Sequence, residues 1–525
     1  MARILVADSI AAEGIELLKE LGEVDVRTGL SEDEICEVIG EYDALVVRSQ
    51  TKVTARVLET GAKLQVVGRA GVGVDNIDLE AATRSGIAVV NAPTGNIVAA
   101  AEHTIALMMA AARRIPQAHA SLTSGQWRRS EFTGIEIRKK TLGLVGLGRV
   151  GTEVARRANG LEMHVLAYDP FVTAAHARTL DVELASFEEV LRTADYISLH
   201  TPLTEQTRGL IGGAELAMTK TTAILVNCAR GELIDEQALL EAIQGGTLAG
   251  AALDVFSKEP MTESPLFGDE RIIVTPHLGA STQEAQYEVS VEVAEQVRLT
   301  LEGKPARHVV NAPFVAPETH AVVAPFLDVA VRVGGLVSQL AEGRVQSIQI
   351  QYDGDIGEHD TNMLKAAVLV GIMGRTSEQR VNVVNAQLIA SQRGLEVLEK
   401  KGGGAGDLVS LLTVEMVTEQ GTSKVSGTVL RNTAHIVRIG EYWLDFAPVD
   451  GYLLITEHRD QPGVIGAVGT VCGRNDVNIS FMEVGRLEPR GRAVMILGLD
   501  DPLADALLDE INQISGVENA QVVQV

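Results

Sequence analysis

From Arg3 to Ala92, apolar runs of four or five residues alternate with stretches in which apolar positions recur every three or four residues. The runs Ile4–Ala7, Val24–Arg27, Ala44–Val47, Gln65–Gly68 and Ala88–Asn91 are short and aliphatic, which predicts strands. Ala11–Leu21 and Asp33–Gly40 between them have helical spacing. Such alternation predicts a parallel sheet covered by helices. The rhythm resumes at Leu142 and continues through Val165–Tyr168, Tyr196–Leu199, Ala223–Asn227, Gly250–Asp254 and Ile272–Thr275. A long helix over about 283–302 should then return the chain to the first unit, leaving two lobes and a cleft. Gly303-Lys304-Pro305, Asn311-Ala312-Pro313 and Ala316-Pro317 mark a linker. The next unit carries no assignable motif, and Gly402-Gly403-Gly404 inside it reads as a loop. From Gly451 to Val525 the pattern is βαββαβ, a ferredoxin-like order. The fold class is therefore α/β with two Rossmann-like lobes. Residues 99–283 form one lobe, inserted into the other, which comprises 1–98 and 284–315. An extra α+β domain (316–448) and the ferredoxin-like domain (449–525) follow.

Composition narrows the partners. Apolar residues make up 46% of the 525, but aromatics only 3%, so several aliphatic cores are expected. The net charge of −25 argues against nucleic acid and anionic membranes. The last unit has 11 acids, 5 Arg and no Lys, which speaks against an RNA-binding sheet. Cys36, Cys228 and Cys472 are sparse and lack metal-ligand spacing, as suits a reducing cytoplasm. The N-terminus runs straight into a strand and lacks the layout of a signal peptide. No apolar run approaches the ~20 residues that span a bilayer, and Thr104–Ala112 reads as a buried helix. A cytoplasmic protein without a metal is expected.

The most specific motif is Gly146-Leu147-Gly148-Arg149-Val150-Gly151, after the strand at Leu142–Val145 and before an amphipathic helix. Gly146 allows the tight turn, Gly148 lets backbone approach a pyrophosphate, and Gly151 lets the helix close on the strand. The helix N-terminus offers N–H groups and a positive dipole end. Asp169 lies 18 positions past Gly151, at the end of the next strand, where a carboxylate can bind an adenosine ribose. It would repel a 2′-phosphate, so NAD is favoured over NADP. Gly68-Arg69-Ala70-Gly71-Val72-Gly73 also follows an apolar strand, but its glycine order differs and no long helix opens there. It reads as a loop lining a site.

Three later strand ends supply chemistry, at the edge where open α/β sheets bind ligands. Arg230 follows Asn227-Cys228-Ala229, and its planar guanidinium suits two-point capture of a carboxylate. Asp254 ends a strand, and Glu259 lies in the loop beyond. His277 follows Thr275-Pro276 and precedes Leu278-Gly279-Ala280. A hydride leaves a secondary alcohol only as the hydroxyl proton is taken. Histidine suits that step near neutrality, and a paired carboxylate would stabilise the imidazolium. Singly these residues fit a loop histidine, a surface arginine and an unremarkable acid; it is the ordered trio that points to catalysis. Cys228 as a nucleophile is disfavoured, because no histidine is near it in sequence.

Together these segments resemble the D-isomer-specific 2-hydroxyacid dehydrogenases, from residue 3 to about 313. The resemblance implies an NAD-dependent oxidoreductase with Arg230, Glu259 and His277 as active-site trio and His277 as acid/base. It implies NAD contacts at Gly146, Gly148, Arg149, Val150, Gly151, Asp169, Thr201, Cys228, Ala229, Arg230, Asp254, His277, Leu278, Gly279 and Ala280, with Val72 at the nicotinamide end. Within the family, Arg48 and Arg69 suit a phosphate, and the long form with its extra domains implies 3-phospho-D-glycerate as substrate, the entry to L-serine biosynthesis. Arg230 and backbone N–H groups from Arg69 through Gly71 to Gly73 would hold the substrate carboxylate. The tail with Asp460-Gln461-Pro462-Gly463 resembles an ACT domain, in which Asp460 and Asn478 match positions that bind an L-serine effector between subunits. Trp127-Arg128-Arg129 resembles a dimer-contact segment, so a homo-oligomer, dimer or tetramer, is expected. A broader 2-hydroxyacid or glyoxylate reductase and a non-catalytic NAD-sensing scaffold are the alternatives.

Overall fold

Four sheets arrange the chain. The first holds β1 (Ala2–Val6), β2 (Gly22–Val26), β3 (Ala44–Val47), β4 (Val66–Arg69) and β5 (Ala88–Asn91), all parallel, in the order β2-β1-β3-β4-β5. Its apolar runs are continuous because both faces are covered. In β1, Ile4 and Val6 face one core, while Leu5 and Ala7 beside it face the other. The structure is a computed structural model that describes residues 1–304, 306–313, 317–377, 379–448 and 451–525. Pro305 and Ala316 of the expected linker lie outside these residues, and so do residues at the domain boundaries expected at 315/316 and 448/449.

The second sheet holds β6 (Thr141–Val145), β7 (His164–Tyr168), β8 (Glu183–Leu184), β9 (Tyr196–Leu199), β10 (Ile224–Asn227), β11 (Gly250–Leu253) and β12 (Ile272–Val274). It too is parallel, in the order β12-β11-β10-β9-β6-β7-β8. The strand order reverses between β6 and β9, the switch point where doubly wound sheets open a crevice for a dinucleotide. β8 is a two-residue strand with no apolar pattern to announce it.

Two helices join the lobes. Ile97–Arg113 leaves the first lobe and packs on β10, β11 and β12. Gln283–Leu301 returns and packs on β4, β5 and the helix Ala12–Lys19. Val293 and Val297 press so close to Gly68 that a Cβ there would lie 2.7 Å from Val297. Beyond it, Val309 bridges to Val90, stitching the returning chain to the first sheet.

The third sheet contains β13 (Val345–Gly354), β14 (Glu396–Lys401), β15 (Ser410–Thr418), β16 (Thr422–Leu430), β17 (Thr433–Ile439) and β18 (Tyr442–Phe446). It is antiparallel except for the β13–β14 pair; Phe326–Leu340 packs on β15, β16 and β17, and Asn362–Met373 packs on that helix. Gly402, Gly403 and Gly404 form the loop after β14. The fourth sheet is antiparallel, with β19 (Tyr452–Arg459), β20 (Ile479–Arg486), β21 (Arg492–Leu499) and β22 (Val517–Gln524) in the order β20-β21-β19-β22. Strand alternation gives it two apolar faces: Leu454 meets its own helices, whereas Leu453 and Ile455 join the core of the third sheet. Among the described residues, no helix is long and apolar enough to cross a membrane.

Candidate active site

Parallel pairing puts the carboxyl ends of β10, β11 and β12 on one edge, so the loops carrying Arg230, Glu259 and His277 are neighbours. Glu259 Oε1 accepts from the Phe256 N–H at 3.0 Å, and Oε2 lies 2.6 Å from His277 Nδ1. Burial alone would raise the Glu259 pKa, but the hydrogen bond and charge of His277 outweigh it and hold the carboxyl below its ordinary value. An ionised carboxylate only accepts, so Nδ1 carries a proton, and it is the neutral form of the ring that presents a lone pair at Nε2. His277 itself has φ 54°, a left-handed conformation that costs energy outside glycine.

Asp254 holds that turn in place. Its carboxylate, 0% exposed, accepts from Leu278 N at 2.7 Å, Gly279 N at 2.8 Å and Thr275 Oγ1 at 2.5 Å, and lies 3.1 Å from His103 Nε2. The Asp254 carbonyl accepts from His277 N at 2.9 Å. Burial would raise the Asp254 pKa, yet the hydrogen bonds from His103, Thr275 and the Leu278 N–H depress it. Cys228 is the opposite case: burial pushes its thiol up to about 12, which makes it an unreactive wall.

Arg230 reaches across the cleft. Its Nε donates to Asp75 Oδ2 of the first lobe at 3.0 Å, and Nη1 to the Ala229 carbonyl at 2.7 Å. The guanidinium lies so close to Gly73 that a Cβ there would sit 1.9 Å from Nη2. Arg69 packs beside it. A Cβ on Gly71 (φ 153°) would fall 1.7 Å from Arg69 Nη1, so this glycine makes room for a guanidinium. Burial first, then the charge of Arg230, lowers the Arg69 pKa to about 10, and its Nε is buried without a hydrogen-bond acceptor. Arg48 completes a cationic trio, since its charge also acts on Arg69. Buried Asp8 accepts from Arg48 N at 2.6 Å, and Asn76 Nδ2 donates to the Arg48 carbonyl at 2.7 Å, which pins the Arg48 loop.

The backbone N–H groups from Arg69 to Gly73 are the expected holders of the substrate carboxylate, and two of them are engaged within the chain. Ala70 N and Gly71 N donate to the Val47 and Arg69 carbonyls at 2.8 Å each, so Gly71 gives space and no free N–H. Val72 and Gly73 are left for that role.

The residues at the switch point fit a dinucleotide. Gly146 (φ 99°) leaves β6, and its Cβ would lie 2.7 Å from the His200 carbonyl. A Cβ on Gly151 would meet the Gly146 oxygen at 2.3 Å, whereas one on Gly148 meets nothing within 4 Å. The helix Arg149–Gly160 has no side-chain cap at Gly148, so its first N–H groups face open space. Thr201, just past β9, has a buried Oγ1 with no partner. Asp169 Oδ2 accepts from Leu147 N at 2.8 Å and Oδ1 from Phe171 N at 2.9 Å, which sets the carboxylate at the end of β7 with a lone pair free on each oxygen. Arg149 donates to the Pro93 carbonyl at 3.3 Å, linking the turn to the first lobe, and Val150 is half-buried beside it. Ala229, Leu278 and Ala280 lie in the loops after β10 and β12; Val72 is 37% exposed in the facing loop. His200, missed by sequence reasoning, packs under the turn, and burial lowers its pKa to about 4. Among the described residues, no cluster of His, Cys, Asp and Glu could hold a metal.

Known proteins resemble this chain over its whole length. Residues 105–279 match the NAD-binding domain of D-isomer specific 2-hydroxyacid dehydrogenases, 322–440 the D-3-phosphoglycerate dehydrogenase intervening domain, and 452–516 the ACT domain. A D-3-phosphoglycerate dehydrogenase from Synechocystis sp. is 45% identical, with 100% of this chain and 95% of that protein covered. Proteins of the same name from Archaeoglobus fulgidus and Bacillus subtilis are 42% and 40% identical, each pair covered over 100% of both chains. The chain belongs to the D-3-phosphoglycerate dehydrogenase family. It is an NAD-dependent dehydrogenase. Among solved structures, a putative D-3-phosphoglycerate dehydrogenase from Ralstonia solanacearum (31% identical, TM-score 0.53) covers 59% of this chain and 97% of its own. A glyoxylate reductase from Paecilomyes thermophila (30%, TM-score 0.55) covers 59% and 98%. What sets this chain apart from them in extent is the pair of domains beyond the two lobes.

In the ACT domain, Asp460 Oδ2 accepts from Arg490 N at 3.0 Å and from Arg486 Nη1 at 3.4 Å, while Asn478 Nδ2 donates to Asp500 at 2.6 Å. Each is held by a different neighbour within the chain. Trp127 is 81% exposed, next to Arg128 and Arg129.

Proposed function

We propose that the interlobe cleft oxidises 3-phospho-D-glycerate at C2 to 3-phosphohydroxypyruvate, the first step of L-serine biosynthesis. The observation that carries this reading is the His277–Glu259 pair on the same sheet edge as Arg230, with Arg69 and Arg48 beside it. Three guanidinium groups suit a substrate with both a phosphate and a carboxylate. Arg48 and Arg69 hold the phosphate. Arg230, with the N–H groups of Val72 and Gly73, holds the carboxylate and polarises the C2 oxygen.

The dinucleotide is held by the Gly146–Gly151 turn, Arg149, Val150, Asp169, Thr201 and the loops at 228–230 and 277–280. Bound NAD supplies the acceptor for the hydride that leaves C2. His277 Nε2 takes the hydroxyl proton as the C2–H bond breaks, and the imidazolium then returns that proton to solvent. Glu259 stabilises the imidazolium and fixes its orientation. Such positioned proton transfer contributes roughly 10²–10⁴ in rate. Asp254 sets the 277–279 turn by accepting the Leu278 N–H on Oδ1 and the Gly279 N–H on Oδ2; Oδ1 also takes Thr275 and His103, and Oδ2 keeps one lone pair for the cofactor.

His277→Ala tests the assignment through NADH absorbance. Turnover should fall by at least about 10²-fold while NADH binding, read by fluorescence, stays within about twofold. Equal loss of both would refute the role.

The same reading places the chain in the cytoplasm as a homo-oligomer, a dimer or tetramer. Ile115, Leu122 and Trp127, all more than half exposed on one stretch, support self-association, and light scattering that returns a monomer mass would refute it.

A further inference from the structure

The helix Ile97–Arg113 turns one face toward all three loops that carry the active-site residues. Ala100 lies 4.0 Å from where a Cβ on Gly279 would sit. Thr104, one turn on, lies beside Cys228. Between them, on the same face, His103 reaches Asp254 Oδ1 and Thr275 Oγ1, each at 3.1 Å. Thr275 already donates to Asp254 Oδ1, and that carboxylate is ionised, so His103 Nε2 acts there as the donor.

We infer that His103 is a positioning residue for the dehydrogenase reaction, acting on His277 through Asp254. This rests on the role of His277 proposed above. The backbone N–H groups of residues 277, 278 and 279 all end on Asp254, at 2.9, 2.7 and 2.8 Å. The turn holds a histidine at φ 54°, a conformation that persists only where its surroundings enforce it. The enforcing group is a carboxylate buried in the protein, and its rotation about the Cβ–Cγ bond decides where the 278 and 279 amides point. Thr275 belongs to the same loop as the turn and moves with it. His103 belongs to a different element, the helix that leaves the first lobe. It therefore ties the carboxylate, and with it the reactive imidazole, to a reference outside the loop. Two imidazole–carboxylate pairs stand in series: His277–Glu259 meets the substrate, and His103–Asp254 sets the turn from behind.

The experiment uses the full chain with NAD and 3-phospho-D-glycerate. His103→Leu keeps the volume and removes the donor. His103→Gln restores an N–H donor near the position of Nε2. The Leu variant should lose roughly 10–100-fold in kcat, the scale of a misplaced reacting group. Its KM for 3-phospho-D-glycerate and its melting temperature should stay close to the parent's. The primary isotope effect on kcat with C2-deuterated substrate should grow, because chemistry becomes slower than product release. The Gln variant should recover most of the lost rate. Unchanged kcat in the Leu variant, a loss matched by a fall in folded fraction, or a Gln variant no better than Leu would each overturn the inference. His277→Ala run alongside separates the two claims. If it remains active, the role of His277 fails; if it is dead while His103→Leu is silent, only the positioning role fails.

Discussion

Arg69 illustrates how a single residue can serve the site at the expense of the fold. Its guanidinium is nearly buried, borders a second arginine, and leaves Nε without an acceptor. Unpaired buried polar groups cost about 1–3 kcal/mol. An anionic group in the cleft would satisfy it. Arg69→Met should therefore leave thermal stability equal to the parent or above it, while raising the KM for 3-phospho-D-glycerate by at least about tenfold. A melting temperature well below the parent's would show that Arg69 supports the fold instead. At this scale the sequence displays residue types whose chemistry is unusual at a strand end, such as Arg230 and His277. It conceals the residues that hold them. His103 and Asp75 act on partners 151 and 155 positions away, and no local pattern marks such contacts.

At the scale of elements, the glycine turn separates two kinds of requirement. Gly151 is needed by the protein itself, since a Cβ would strike the Gly146 oxygen. Gly148 has nothing of the protein near it, so its missing side chain leaves space for a ligand. Gly148→Ala should fold with an unchanged melting temperature and bind NADH at least about tenfold more weakly. Gly151→Ala should lose stability, by about 1–3 kcal/mol. Calorimetry and NADH fluorescence on both variants check this; equal melting temperatures would contradict it. The turn was legible because strand, glycine spacing and terminal acid are adjacent in sequence. β14 was not, because Glu396–Lys401 is an exposed edge strand with little apolar alternation. The 316–448 unit was legible only as an α+β domain for a related reason: its sheet mixes one parallel pair with antiparallel hairpins, and no motif marks the switch.

At the scale of the whole molecule, the two catalytic lobes meet a second half built as one packed body. The ACT sheet and the intervening sheet share a core through Leu453, Ile455, Val494 and Ile496. That body is fixed to the first lobe where Asn382 Nδ2 donates to the Gly86 carbonyl at 2.6 Å and Val384 joins the lobe's core. The half that holds the ACT domain therefore contacts the lobe that carries Arg48 and Arg69. If L-serine is the effector, adding it should slow NADH formation, and Asp460→Ala should relieve the effect. A rate indifferent to serine would remove that assignment without touching the chemistry of the cleft. The most direct measurement of the central claim is the rate of NADH formation from 3-phospho-D-glycerate beside that from D-glycerate, with NAD present. The cationic trio predicts kcat/KM higher by at least about 10³-fold for the phosphorylated acid, the scale of a few charge-assisted hydrogen bonds. Equal rates on the two acids, or no NADH from either, would contradict it.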